Sequence, residues 1–240
     1  ISGVYTLVAA NNGYTFSVSN SPPGAFNITG VTGASDAIVD QWLVNSANPV
    51  VNFGASVGAI NYDVVIKASA TDTAVICQSL TAPSNPVTVA GCALSNNVAY
   101  KMHVTSRSAT GLTTAATNDG LTFTVDNAAP TANTITGITG AADAVADAWL
   151  SGGLNPTGNW NAFVGAATYD VTVKNSSGVT TICATQNTAA LTLAFGGCTL
   201  TNTATYRLYV TAKSPSGYNL TSASNDGFSF TVDNTTPGAF

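Results

Sequence analysis

The chain has 240 residues, of which 45% are hydrophobic and 7% charged, a balance that predicts a packed core and excludes a disordered segment. Six Lys and Arg stand against eleven acids, all of them Asp, so a cationic surface for nucleic acid is excluded. The uncharged stretch 175–206 is laced with Thr, Asn and Gly, unlike a membrane span, and we expect any secretion signal to have been removed or to lie upstream of Ile1.

The chain contains two copies of one module. Residues 28–34 return as residues 135–141, at an offset of 107 residues. The same offset relates Tyr62 to Tyr169 and residues 123–127 to residues 230–234, whereas the region around the cysteines runs at an offset of 106. One residue is therefore lost and later regained, which places both length changes in loops.

The opening residues belong to the same pattern. Residues 13–18 and 23–26 match residues 227–232 and 237–240 at twice the offset. We therefore expect a piece of a longer array in which residues 1–26 are the last strand or strands of a preceding repeat plus a linker. Residues 27–130 then form repeat 1, and residues 131–240 form repeat 2 with the start of the next linker.

Charged residues recur at the same places in both copies, which identifies them as parts of the module's construction. Ten of the eleven acids and all six cations have a counterpart. The pairs are Asp36/Asp143, Asp40/Asp147, Asp63/Asp170, Asp119/Asp226, Asp126/Asp233, Lys67/Lys174, Lys101/Arg207 and Arg107/Lys213. Asp72 has no counterpart, and Tyr209 stands where repeat 1 has the single histidine, His103.

Alternation of apolar and polar residues predicts half-buried antiparallel strands along the chain, for example at 62–67, 100–105 and 121–126. Turn-forming segments such as 84–86, 118–120 and 214–217 separate the strands. Residues 35–43 and their copy at 142–150 are compatible with one helical turn or with a short edge strand. The fold class is therefore all-β, with short strands typical of a sandwich.

The spacing of Leu94 to Tyr100, repeated as Leu200 to Tyr206, resembles the tyrosine corner of immunoglobulin-like sandwiches. An aromatic residue, Phe53 or Trp160, also precedes Tyr62 or Tyr169 by nine residues. Each copy is thus similar to a fibronectin type III module, and the endings at 126–130 and 233–237 look like the junctions of bacterial Ig-like arrays. The resemblance implies tandem Ig-like, fibronectin type III-like antiparallel β-sandwiches of about seven strands each.

Four cysteines, Cys77, Cys92, Cys183 and Cys198, allow three disulfide pairings. Local pairing, Cys77 with Cys92 and Cys183 with Cys198, is favoured because each module of an array then folds with its own bridge. Reduced core cysteines are the alternative, whereas zinc binding and redox catalysis lack the necessary ligands and spacing. Disulfides indicate an oxidising location, extracellular or at the cell surface.

No catalytic residue or cofactor site is predicted. The chain has no glutamate, and His103 lies at an outward strand position where we expect a lone surface imidazole. The chain is therefore not expected to be an enzyme.

Calcium is the one metal for which the sequence offers candidates. Asp126 and Asn127 end the last strand of repeat 1, and Asp143 and Asp147 lie near the start of repeat 2, where hard oxygen ligands would stiffen the joint. The competing interpretation is that Asp126 and Asn127 form a turn and that the Asp143 region caps a short helical turn.

The sequence also predicts the roles of two further sets of residues, a group of charged residues and two tryptophans. Outward positions on neighbouring strands predict the cross-strand ion pairs Asp63 to Lys101 and Asp170 to Arg207. Trp42 and Trp149 would suit a platform for stacking sugars, but packing in a core or interface is the favoured interpretation.

These observations predict a non-enzymatic extracellular repeat segment, a spacer, stalk or adhesion module of a bacterial surface protein. Its expected partners are neighbouring repeats, with a surface glycan or a protein as further ligands. One alternative is a fibre subunit, in which the strand at 14–18 completes the sheet of an identical chain. The other alternative is an accessory module of a secreted polysaccharide-active enzyme.

Overall fold

The computed structural model describes Gly13, residues 21–141 and residues 143–235, and every regular element within these ranges is a β-strand. The strands of repeat 1 are β1 (Ile28–Gly33), β2 (Asp36–Asp40), β3 (Trp42–Val44), β4 (Val50–Phe53), β5 (Asn61–Ala68), β6 (Val75–Ala82), β7 (Val87–Thr88), β8 (Ala99–Arg107), β9 (Thr113–Ala115) and β10 (Leu121–Asp126). Those of repeat 2 are β11 (Ile135–Gly140), β12 (Asp143–Asp147), β13 (Trp149–Leu150), β14 (Thr157–Trp160), β15 (Thr168–Asn175), β16 (Thr181–Thr188), β17 (Thr192–Ala194), β18 (Thr205–Lys213), β19 (Leu220–Ser222) and β20 (Phe228–Val232). The all-β prediction is confirmed.

Each repeat is a sandwich of two sheets. In repeat 1, β2-β1-β4-β7 form one sheet and β3-β10-β8-β5-β6 the other, with β9 paired to β8. Repeat 2 copies this order as β12-β11-β14-β17 and β13-β20-β18-β15-β16, with β19 paired to β18. The short strands β3 and β13 run parallel to β10 and β20, and the other paired strands are antiparallel. The described residues include no helix that would be long and apolar enough to cross a membrane.

Strand alternation builds the two cores. On β8, Tyr100, Met102 and Val104 are buried while the residues between them are half-buried, and β18 repeats this pattern. The buried apolar residues form one cluster in each repeat, between its two sheets. The expectation of tandem sandwiches is therefore confirmed.

The ambiguous segment 35–43 consists of two strands. The side chain of Asp36 accepts a hydrogen bond from the Ile38 amide at 2.9 Å, and that of Asp40 accepts one from the Trp42 amide at 2.7 Å. These local bonds turn the chain so that β2 pairs with β1 and β3 crosses to the other sheet. Gly30 makes this close approach possible, because a Cβ on its backbone would lie 2.3 Å from the Asp40 carbonyl oxygen.

The two cores use an aromatic ring from different places in the chain. In repeat 1, Phe26 packs against Phe53 and Tyr62, with ring centroids 6.0 and 5.9 Å apart. Repeat 2 has Asn133 at the position of Phe26, and Phe163, which replaces Ser56, packs against Tyr169 at 5.6 Å instead. Each repeat therefore packs a different aromatic residue, Phe26 or Phe163, against its buried tyrosine.

The tyrosine hydroxyls bond to the backbone upstream in both repeats. Tyr100 Oη accepts a hydrogen bond from the Ser95 amide at 2.9 Å, and Tyr206 Oη accepts one from the Thr201 amide at 2.8 Å. Each tyrosine is buried, so the bond satisfies a hydroxyl that water does not reach. Leu94 and Leu200, which precede these amides, pack against the cores of their repeats.

Both local disulfides are present. Cys77 on β6 bridges to Cys92, which follows β7, and Cys183 on β16 bridges to Cys198, with Cα atoms 5.0 and 5.2 Å apart. Since β6 and β7 are edge strands of opposite sheets, the first bridge ties the two sheets together along one open side of the sandwich.

Replacing both Cys77 and Cys92 by serine is expected to lower the free energy of unfolding of repeat 1 by about 3 kcal/mol, because a closed loop of about fifteen residues restricts the unfolded chain. Denaturant titration followed through assigned amide signals of each repeat measures this loss. The matched variant replaces Cys183 and Cys198 and should weaken repeat 2 instead; equal stability of oxidised and variant repeat 1 contradicts the prediction.

Candidate functional site at the module junction

The two repeats meet at Asp126, the last residue of β10. Its side chain is fully buried. The carboxylate accepts hydrogen bonds from the Ser216 amide at 3.0 Å and from Asn219 Nδ2 at 3.2 Å, and the Asp126 carbonyl oxygen accepts one from the same Nδ2 at 2.9 Å. A loop of repeat 2 therefore supplies the donors for a buried charge at the end of repeat 1.

These donors control the ionisation of Asp126. Burial raises the pKa of the carboxyl group, but hydrogen bonds from Ser214, Ser216 and Asn219 outweigh burial and hold the pKa below its ordinary value. The group is consequently ionised at neutral pH, and the contact between the repeats is made by a carboxylate.

The loop 214–219 is preorganised by its own hydrogen bonds. The Ser214 amide donates to the Asn219 carbonyl oxygen at 2.9 Å, and the Asn219 amide donates to Ser214 Oγ at 3.1 Å. Gly217 turns the chain with a φ of 81°. Because the loop is closed in this way, the Ser216 amide and the Asn219 side chain reach Asp126 from one rigid unit.

Two further contacts extend the junction across the end of repeat 1. Asn45 Nδ2 donates to Asn219 Oδ1 at 3.0 Å. Partial burial raises the pKa of the Tyr218 hydroxyl, and the neighbouring carboxylates of Asp36 and Asp40 raise it further. The loop therefore bonds to Asn45 of repeat 1 as well as to Asp126, and its tyrosine lies near the carboxylates that begin and end β2.

Sequence reasoning missed Tyr218 and Asn219. In repeat 1 the equivalent loop closes on Leu112, whose carbonyl oxygen accepts from the Ser108 amide at 2.8 Å. Repeat 2 holds one more residue between this loop's serine and its next strand, so Tyr218 is the insertion and Asn219 replaces Leu112. The signal was the change of the repeat offset from 106 back to 107 at this loop, which marks it as the variable part of the module.

The four calcium candidates are not brought together. Asp126 is bonded to the loop of repeat 2, and Asn127 exchanges hydrogen bonds with the backbone of Ser46. Asp143 and Asp147 accept from the amides of Val145 and Trp149 and form turns between strands, so the expectation of a capped helical turn there is wrong. Within the described ranges, no three carboxylate, imidazole or thiol groups converge in an arrangement that could hold a metal ion.

The predicted ion pairs are wrong in their cations. Strand register places Lys101 opposite Lys67, four residue pairs along the strands from Asp63, which faces Thr105. Asp63 instead pairs with Arg107 at 2.5 Å, and Asp170 pairs with Lys213 at 2.6 Å. The two repeats therefore share one ion pair, made by the cations that end β8 and β18.

The expectation of a lone surface imidazole at His103 is also wrong. Nε2 of His103 lies 2.7 Å from Asp72 Oδ1, and Nδ1 lies 2.8 Å from Asp119 Oδ2. Lys101 Nζ contacts the other oxygen of Asp72 at 3.1 Å. The hydrogen bond from Lys101, together with the contact to His103, lowers the pKa of Asp72. The two residues that have no equivalent charge in repeat 2 thus contact each other.

Repeat 2 replaces this charged pair with a packed one. Tyr209 stands at the position of His103, and Gly178 occupies the turn that holds Asp72 in repeat 1; both turn residues have positive φ. A Cβ on Gly178 would lie 2.3 Å from the Tyr209 hydroxyl oxygen, and Lys174 Nζ lies 4.7 Å from the centre of the Tyr209 ring. Tyrosine at this strand position therefore requires a residue without a side chain in the turn.

The tryptophans differ in exposure. Trp149 is 54% exposed, so core packing is wrong for this residue, whereas Trp42 is half-buried.

The strand at 14–18, which the fibre alternative requires, lies outside the described residues.

Comparison with known proteins shows no matching family model and no matching curated protein. Among solved structures, the chain is similar to the FN1-FN3 domains of chicken CNTN1, with 10% identity, a TM-score of 0.44 and coverage of 80% of this chain and 60% of that one. It is similar to a Ca²⁺-stabilised adhesin that helps an Antarctic bacterium bind ice, with 17% identity, a TM-score of 0.35 and coverage of 89% and 50%. It is also similar to the BSP domain of a biofilm-associated protein, with 13% identity, a TM-score of 0.29 and coverage of 90% and 30%. The chain thus spans less than two thirds of each of these proteins, and its own strand order defines its fold.

Acidification is expected to release the junction. Because the folded pKa of Asp126 is lowered, its contribution to stability is complete above the ordinary aspartate pKa and is lost as the pH falls through the folded value. The proton chemical shift of the Ser216 amide should therefore titrate with a midpoint below that ordinary value. A midpoint at or above it, or no change in the Asn219 side-chain amide signals over the same range, contradicts the prediction.

We expect that His103 can be replaced by tyrosine without a large loss of stability only if Asp72 is replaced by glycine at the same time. His103→Tyr should destabilise repeat 1, because the ring meets the Asp72 side chain and the carboxylate loses a donor. Adding Asp72→Gly should restore most of the loss by recreating the arrangement of repeat 2. Thermal unfolding of the single and double variants measures the rescue, and a double variant less stable than His103→Tyr contradicts the prediction.

Proposed function

We propose that the chain is a structural segment of a bacterial surface protein, in which rigidly joined sandwiches space or present an adhesive element outside the cell. The Asp126 contact is the observation that carries this proposal. If the modules moved independently, the buried Asp126 carboxylate would lose the hydrogen-bond donors that the neighbouring module supplies. The contact therefore supports a spacer of defined geometry.

The linker itself supports the same function. Asn127, at its start, is held by the Asn96 side chain and by Ser46 in repeat 1. At its end, the Thr131 amide donates to the Val164 carbonyl oxygen at 2.9 Å and Asn133 Nδ2 donates to the Ala162 carbonyl oxygen at 2.8 Å in repeat 2. Only residues 128–130 lie between these two anchored ends of the linker.

The disulfides support an extracellular location. Each sandwich carries its own bridge, and such bridges form and persist in oxidising compartments. A module closed by its own covalent link keeps its fold independently of its neighbours, which suits a segment exposed to forces and proteases outside the cell.

Nitrogen-15 relaxation of the full chain tests the spacer function. In a rigid spacer both repeats tumble with one rotational correlation time, and Asp126→Ala should separate the two values, since the loop loses its charged acceptor. Asp233→Ala, at the equivalent position of repeat 2, is the matched control and should leave the repeats coupled. Independent tumbling of the unmodified repeats contradicts the proposal.

A further inference from the structure

The end of repeat 2 is built like the end of repeat 1. The Asn127 amide donates to Asn96 Oδ1 at 2.6 Å, and the Asn234 amide donates to Asn202 Oδ1 at 2.7 Å. The side-chain amides of Asn127 and Asn234 both donate to a backbone carbonyl oxygen at 2.9 Å, that of Ser46 or that of Gly153. Asp233 is therefore held by the same frame that holds Asp126.

Asp126 and Asp233, which occupy equivalent positions, differ in their exposure to solvent. Asp126 is fully buried under the loop 214–219, and Asp36 is 3% exposed beside it. Asp233 is exposed and its equivalent of Asp36, Asp143, is half-buried. The Asp233 side chain accepts hydrogen bonds from the amide and hydroxyl of Thr235 through Oδ1, and none of the described residues donates to its Oδ2.

Loop and strand-end residues change together along the chain. The loop of repeat 2, which closes on Asn219, meets an aspartate at the end of the preceding module. The loop of repeat 1 closes on Leu112, and the residue that precedes repeat 1 at the sequence position of Asp126 is Ser19. In the sequence, an aspartate at the end of one module thus precedes a loop that offers an amide side chain, and a serine at that position precedes a loop that offers an apolar one.

We propose that the surface around Asp233 is a docking site for the next module of the array, and that it selects a module whose equivalent loop closes on asparagine. This inference rests on the proposed spacer function and names the partner of that surface. Recognition is the donation of a loop amide and an asparagine side-chain amide to the Asp233 carboxylate, as at Asp126. A module with the shorter loop ending in leucine lacks the second donor.

The test extends the full chain beyond Phe240 with a second copy of residues 27–127, since Phe240 stands where Phe26 stands in repeat 1. In one version the appended loop 108–112 is unchanged, and in the other it is replaced by the sequence of 214–219. The readout is hydrogen exchange of the appended loop amide equivalent to Ser216, compared between Asp233 and Asp233→Ala.

With the replaced loop, we expect this amide to exchange about tenfold or more slowly when Asp233 is present, the effect of one hydrogen bond to a charged group. With the unchanged loop, exchange should not depend on residue 233. Equal exchange rates with Asp233 and Ala at this position in the replaced-loop version overturn the proposal.

The Ser216 amide in the same molecule is the internal reference. If Ser216 is protected by Asp126 and the appended amide is not protected by Asp233, the docking site is refuted and the spacer function stands; if neither is protected, both are refuted. If the replaced loop prevents folding, a second extended chain is used, in which Phe240→Asn is followed by a copy of residues 134–235. This copy carries the loop in its native module, and the exchange rate of its loop amide is again compared between Asp233 and Asp233→Ala.

Discussion

A carboxylate buried between two folded units restricts how those units are arranged. Asp126 is fully buried, and its donors come from a loop ninety residues further along the chain. Leaving a buried acceptor without partners costs about 1–3 kcal/mol, and more when it is charged. A rotation that withdraws the loop must therefore either leave the carboxylate unpaired or admit water. The orientation of the repeats depends on hydrogen-bond geometry at one strand end.

The two sandwiches share one strand order and differ in small sets of contacting residues. Asp72 and His103 in one repeat correspond to Gly178 and Tyr209 in the other, where a side chain at position 178 would clash with the Tyr209 hydroxyl. The loop that closes on Leu112 in repeat 1 closes on Asn219 in repeat 2. A sandwich of this kind is a scaffold with many uses, so the fold that the two repeats share does not by itself determine what the segment does.

The repeat, the strand alternation and the cysteine spacing made the sandwiches and the local disulfides predictable from sequence. Strand register was not predictable, and this misplaced the partner of Asp63, because Lys101 and Arg107 both lie on β8 and only the pairing with β5 chooses between them. The junction was also missed, since the loop 214–219 and Asp126 are brought together only by the relative placement of two folded modules. Asp36 and Asp40 were ambiguous because aspartate side chains bond to backbone amides two residues ahead in turns and at helix starts alike.

The exchange of Phe26 for Phe163 has a consequence for synthesis. Neighbouring modules of similar sequence are prone to swap strands while they fold. If the segment with Phe26 entered repeat 2, its ring would be added to a core in which Phe163 already packs against Tyr169. The segment with Asn133, placed in repeat 1, would leave Phe53 and Tyr62 without the Phe26 ring. Each segment therefore fits the core of its own repeat, and an exchange of segments would destabilise both repeats.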